Sequence, residues 1–151
     1  MKDRELRKLY GEIPRFTCKA GCTGCCGPVP WAAVEWERVK AEAPLTTLLH
    51  DLGEGAVLAQ SGTDGMCPFR GESGCKVYDR RPFMCRLFGT ANDPRLICPF
   101  GSRPKHLHSA EWARRLLGRY HLAGGGPTPS HRAPAGRPSA IATTPDHQGD
   151  P

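Results

Sequence analysis

Cys18-Lys19-Ala20-Gly21-Cys22-Thr23-Gly24-Cys25-Cys26 holds half of the chain's eight cysteines in nine residues. The other four, Cys67, Cys75, Cys85 and Cys98, follow at wider intervals. The residues ahead of the cluster are basic but contain no apolar signal core. No stretch approaches the ~18 apolar residues of a membrane span, so a soluble cytoplasmic protein with reduced thiols is expected. Reduced thiols at such short spacing read as metal ligands rather than disulfide partners. Gly21 and Gly24 fit that reading, because a backbone curling around an ion needs positive φ and close approach. Thiolates are soft ligands, suited to zinc and iron–sulfur clusters and poorly matched to hard cations. A structural zinc takes four of them at about 2.3 Å. Cys18, Cys22, Cys25, Cys26, Cys67, Cys75, Cys85 and Cys98 are therefore all candidate ligands. They suffice for two closed sites, or for one four-thiolate cluster with accessory thiols. In an extended backbone Cys25 and Cys26 would point in opposite directions. The pair is then expected to serve two neighbouring centres or to bridge a multinuclear cluster.

Only 38% of the residues are hydrophobic and the mean hydropathy is −0.47, so the apolar core must be small. Metal-linked loops would compensate, since metal-binding free energy becomes folding free energy. The net charge of +6 permits a nucleic-acid or anionic-membrane partner. However, the arginines are scattered and no aromatic platform is interleaved with them, so neither partner is expected. Lys19, Lys76, Arg80, Arg81 and Arg86 each lie within a few residues of a cysteine. Much of the basic excess accordingly reads as neutralisation of metal-bound thiolates. Glu72 and Asp79 read as exposed turn residues, His50 as solvated, and His106 and His108 as bystanders to Cys98. No Ser/His/Asp constellation or phosphate-cradling loop stands out, so no catalytic residue is assigned.

Outward from the cluster, residues 1–10 predict a short charged helix with Leu6 and Leu9 as its apolar contacts. Phe16 leads into the cysteine loop and is expected to pack beside the site. Residues 31–43 predict an amphipathic helix, with Ala32, Trp36, Val39 and Ala43 on one face and Glu35 among the charged residues opposite. Residues 45–52 suggest further helical turns, and 56–59 a short strand. Between Cys67 and Cys75 a glycine-flanked turn predicts a hairpin-like knuckle. Residues 76–81 suit a helical turn, and Pro82 opens the next one, carrying Cys85 and Arg86. Ser109 caps a helix running to about Leu122, with Trp112, Leu116 and Tyr120 on one face. Residues 123–151 hold six prolines, five glycines and no aromatic residue, the composition of a disordered tail.

Clustered cysteines ending in a Cys-Cys pair, then Cys75-Lys76-Val77-Tyr78, then Arg81-Pro82-Phe83-Met84-Cys85-Arg86 and a last cysteine resemble the YkgJ-type cysteine-cluster (CxxCxxCC) family. That family is described as a candidate zinc- or iron-chelating domain. The resemblance covers roughly residues 16–100 and implies that all eight cysteines are ligands. One departure is the three residues between Cys18 and Cys22, where many members have two. The resemblance also admits an iron–sulfur cluster, because a related motif occurs beside flagellin lysine methylases. That methylase activity is not carried over, since no methyl-donor pocket is legible in so short a chain.

These observations predict a small irregular α+β or mostly α domain, metal-stabilised, with cysteine-bearing loops over residues 1–122 and a tail over 123–151. The leading function is zinc or iron–sulfur binding as a structural or redox module. A cluster-bearing accessory subunit or enzyme assisting modification of a protein partner comes next. A zinc-ribbon-like nucleic-acid module is third.

Overall fold

The computed structural model describes residues 3–126. Helix α1 (Asp3–Glu12) turns Leu6 and Leu9 inward as the sequence predicts, and it runs one residue past Gly11 before the chain bends. Strands β1 (Val29–Trp31), β2 (Thr47–Asp51) and β3 (Val57–Ser61) form an antiparallel sheet in the order β1-β3-β2. β3 is the short strand expected near residues 56–59. β2 corrects the helical expectation for 45–52. All five of its residues pair with β3, from Thr47 opposite Ser61 to Asp51 opposite Val57. Leu48 and Leu49 both stay about half exposed, so a helix there would have had no apolar face to bury. The ladder supplies the backbone partners instead.

The predicted helix at 31–43 survives only as α2 (Ala33–Trp36), followed by turns and a 3-10 turn (Lys40–Glu42). Its expected inner face holds, since Ala32, Trp36 and Val39 are buried. Glu35, assigned to the outer face, is 1% exposed. The reason lies in its partners, which come from four parts of the chain. The Glu35 carboxylate accepts from the Tyr10 hydroxyl at 2.6 Å, the Tyr120 hydroxyl at 2.7 Å, the Ala32 N–H at 2.9 Å and the Phe83 N–H at 2.7 Å. Reaching back to Ala32 N–H is the glutamate arm of a capping box, here turned into the core.

The knuckle forms as predicted, with β4 (Arg70–Gly71) paired to β5 (Gly74–Cys75). A 3-10 turn (Tyr78–Arg80) leads to Pro82, which caps α3 (Phe83–Leu87). β6 (Ala91–Asn92) and β7 (His108–Ser109) pair in parallel ahead of α4 (Ala110–Leu122). The Ser109 hydroxyl accepts the Trp112 N–H at 3.1 Å, the expected cap. Leu116 and Tyr120 are buried on the inner face of α4, together with Ala113 rather than Trp112, which stacks on His108.

The described residues form an α+β arrangement of four α-helices and short strands around two apolar clusters. In one, Leu6, Leu9, Phe83, Leu87, Leu116 and Tyr120 join α1, α3 and α4, with the Phe83 and Tyr120 rings stacked 4.2 Å apart. In the other, Trp31, Trp36 and Phe69 meet with Val39, Ala59 and Val77, and Cys67 and Cys75 pack against them. Residues 123–126, expected to begin the tail, lie against α4: the Gly125 N–H donates to the Tyr120 carbonyl, and His121 bonds the Gly126 carbonyl. Residues 127–151, the rest of the expected tail, lie outside the described residues. No helix among the described residues is long and apolar enough to cross a membrane.

Candidate metal centre

Two tight turns shape the first cysteine loop. The Cys22 N–H donates to the Lys19 carbonyl at 3.1 Å and the Cys26 N–H to the Thr23 carbonyl at 3.0 Å. Each turn therefore closes on a cysteine. Gly21, at the third position of the first, has φ +68°, the left-handed value that a side chain rarely tolerates. Gly24, in the second, lies under the Phe100 ring, which would overlap any Cβ placed there. The two glycines thus supply positive φ and close approach, one each.

The other cysteine segments are tied to this loop by specific hydrogen bonds. The Cys67 N–H donates to the Cys26 carbonyl at 3.0 Å. The Tyr78 hydroxyl accepts the Cys18 N–H at 3.0 Å. The Lys19 N–H donates to the Ser102 hydroxyl at 3.0 Å, which holds the segment after Cys98 in place. Cys75 ends the knuckle on β5 and Cys85 rides on α3. As a result Cys18, Cys22, Cys25, Cys26, Cys67, Cys75, Cys85 and Cys98 all line a single cavity of about 370 Å³. Phe16 lines it too, beside the site as expected, whereas His50, His106 and His108 do not. All eight cysteines are free of disulfides.

The thiols share a wall without being gathered into a ligand group. Among the described residues no three or more His, Cys, Asp or Glu side chains are assembled as one. Cysteine has a single side-chain torsion with three staggered wells, so drawing four sulfurs onto a common ion needs rotamer changes and small shifts of the loops. The donor set, all thiol and without histidine or carboxylate, fits a soft metal.

Cys25 and Cys26 correct the expectation for an extended pair. They sit in a turn, closed by the Cys26 N–H on the Thr23 carbonyl at 3.0 Å. The neighbouring Cys26 thiol pulls the Cys25 thiol down to about 6, and Cys25 together with burial pushes Cys26 up. Burial pushes Cys67, Cys75 and Cys85 up, so metal binding there would release protons.

Of the five cations assigned to thiolate neutralisation, one guanidinium reaches a sulfur. Arg81 Nη1 lies 3.5 Å from Cys18 Sγ, while its Nε donates to the Tyr78 carbonyl at 2.9 Å and its guanidinium covers the Tyr78 ring at 3.5 Å. Lys19 lines the cavity and Lys76 does not. Arg80 turns away to the Glu42 carboxylate. Arg86 donates to the Arg81 and Asp79 carbonyls, away from any sulfur. Arg38, Arg70, Arg95, Arg115 and Arg119 pair with carboxylates. More of these cations thus meet acidic side chains than meet a thiol. Tyr78, noted only as a motif letter, proves to hold both Arg81 and the Cys18 backbone. The Cys75-Lys76-Val77-Tyr78 and Arg81-Pro82 spacing was the signal.

Comparison with curated proteins and with solved structures gives no match. The model of the CxxCxxCC family, "Putative zinc- or iron-chelating domain", matches residues 17–110, which include all eight cysteines. That match covers well over half of the 151 residues, and the chain belongs to the CxxCxxCC family.

Proposed function

We propose that the protein is a polythiolate metal-binding module, with the eight cysteines as ligands and with loops that fold around zinc or an iron–sulfur centre. One observation carries the reading: cysteines drawn from four separate stretches of chain, and no histidine or carboxylate, converge on one cavity. Zinc would cross-link the loops, whereas an iron–sulfur centre would also exchange electrons. This chain's own part is to bring the thiols together, to set Arg81 against their negative charge, and to hold Cys18 through Tyr78. A structural or redox role accounts for these features, and none of them requires a catalytic base.

Anaerobic purification followed by metal analysis and an absorption spectrum tests the reading. Zinc should appear in stoichiometric amount in a colourless protein. An iron–sulfur centre should give a brown protein whose visible absorption bleaches with dithionite. Anaerobic protein containing neither metal, with all eight thiols titrating freely, would overturn the proposal.

A further inference from the structure

A second cavity, of about 620 Å³, lies beside the thiol-lined one and shares Phe16, Tyr78 and Arg81 with it. Four arginines line it, Arg7, Arg15, Arg81 and Arg86, against a single acidic residue, Asp79. We propose that this cavity is a binding site for a small organic anion carrying a phosphate or carboxylate group.

The arginines here differ from most others on the molecule. Arg38, Arg70, Arg80, Arg95, Arg115 and Arg119 each hold a carboxylate. Arg15, Arg81 and Arg86 hold none among the described residues, and Arg7 pairs with Asp3. Arg81 and Arg86 are nevertheless fixed in place. Arg86 Nε donates to the Arg81 carbonyl at 2.8 Å and its guanidinium sits 4.5 Å over the Tyr10 ring. Arg81 is anchored on the carbonyl and ring of Tyr78 in the same way. Arg86 thus spends donors on carbonyls and stacks on an aromatic face, and Arg81 does the same while also giving Nη1 to Cys18 Sγ, which orients both without pairing either with a carboxylate. Each keeps N–H groups in the planar fork that suits a phosphate or carboxylate. Half-buried guanidiniums without a carboxylate partner favour the entry of an anion. The volume falls within the roughly 300–1,000 Å³ of small-molecule sites, and Tyr10, Tyr78 and Phe16 supply apolar wall for the ligand's body.

Titration of the full chain, as purified, with inorganic phosphate, AMP and succinate tests the site by calorimetry and thermal shift at about 0.15 M salt. None of the three is a strong enough chelator to strip a thiolate-bound metal. At least one should bind at 1:1 stoichiometry with Kd below about 1 mM. Phosphate or AMP alone would identify a phosphoryl ligand, and succinate alone a carboxylate. Arg15 is exposed and makes no hydrogen bond or ion pair among the described residues, so Arg15→Glu should fold normally. It should weaken binding roughly tenfold or more. Arg115→Glu, on the outside of α4, should leave affinity within about twofold. Absence of saturation by all three anions at about 10 mM, or equal weakening in Arg15→Glu and Arg115→Glu, would overturn the proposal.

Discussion

Glu35 and the cysteine cavity are the two polar centres of this molecule, and they are built in opposite ways. Around Glu35 the chain supplies everything: four donors meet one carboxylate at 2.6–2.9 Å inside an apolar cluster of three helices. Around the cysteines the chain supplies eight sulfurs and one guanidinium. The loops between them are joined by a few hydrogen bonds, two of them to the Tyr78 and Ser102 hydroxyls, and of the cysteines Cys67 and Cys75 pack against the Trp31 cluster. The first region is complete as a folding unit. In the second, chain-supplied contacts are few, so most of its cohesion must come from the metal in the reading proposed above.

The largest effect should follow from removing metal or a ligand. Structural zinc contributes about 10–16 kcal/mol, comparable with the whole stability of a small domain at about 5–15 kcal/mol. Chelation or Cys85→Ser should therefore abolish the single cooperative melting transition. Amide exchange should rise throughout residues 18–26 and 67–80, while α1, α3 and α4 keep protection through their shared core. Loss of protection in α1 and α4 to the same extent would show that the two regions are one cooperative unit. Full metal content in Cys85→Ser would remove that residue from the site.

Breaking the other centre should cost less but still much. Glu35→Ala strands the Phe83 N–H and the Tyr120 hydroxyl proton, and leaves the Ala32 N–H only the Tyr120 oxygen at 3.2 Å and the Tyr10 hydroxyl only the Arg81 carbonyl at 3.5 Å, at about 3–5 kcal/mol. Denaturant melts with metal content measured in parallel would show the loss of stability without a loss of metal. Burial also raises the Glu35 carboxyl above its ordinary 4.5, against the pull of its four donors. Over the interval between the unfolded and folded values the native state holds a proton that the unfolded chain has released. Stability from this group is thus fully present below about 4.5 and declines as pH rises toward the folded value. Glu35→Gln cannot ionise, so it should lose that slope. An unchanged slope in the variant would assign the pH dependence to other groups.

These two centres were unequally legible in the sequence. The shared cavity was readable because cysteines announce themselves by type and spacing, and Cys75-Lys76-Val77-Tyr78 with Arg81-Pro82 even marked the residues that hold Cys18. The Glu35 network was not. Its hydroxyls come from Tyr10 and Tyr120, 25 and 85 residues away, and a helical wheel drawn on residues 31–43 puts Glu35 outside. The strand β2 was hidden for a similar reason, since Leu48 and Leu49 show no alternation and pairing with β3 overrides local propensity. Strand alternation does not apply to Cys25 and Cys26, because Thr23 to Cys26 makes a turn rather than extended backbone.

Arg81 and Arg86 sharpen the contrast at the level of single charges. Both are near Cys85 in sequence, but only Arg81 reaches a sulfur. Loss of a group that supports metal ligands through hydrogen bonds costs roughly 10–100-fold in metal affinity. Arg81→Gln should fall in that range when metal is competed away with a chelator. Arg86→Gln, which loses bonds to two carbonyls and a ring, should stay within a few-fold of the parent. The reverse order would return Arg86 to the thiolate environment.

The smallest stability effect is expected at Gly24, where the cysteine loop touches its cover. A Cβ there would run into the Phe100 ring, but that ring is 54% exposed and can swing into solvent. The stability cost should stay below about 1 kcal/mol. Gly125→Ala meets the Tyr120 ring instead, which is fully buried, stacked on Phe83 and bonded to Glu35. Overpacking that ring should cost about 1–3 kcal/mol. The two alanines thus place the same methyl group against an aromatic ring in each region. Chemical denaturation of both variants compares the regions directly. Alkylation of metal-free protein should show faster modification of the loop cysteines in Gly24→Ala alone. Equal costs at the two glycines would mean that Phe100 is held as firmly as Tyr120, and that the cysteine region owes more to its own packing than its few contacts suggest.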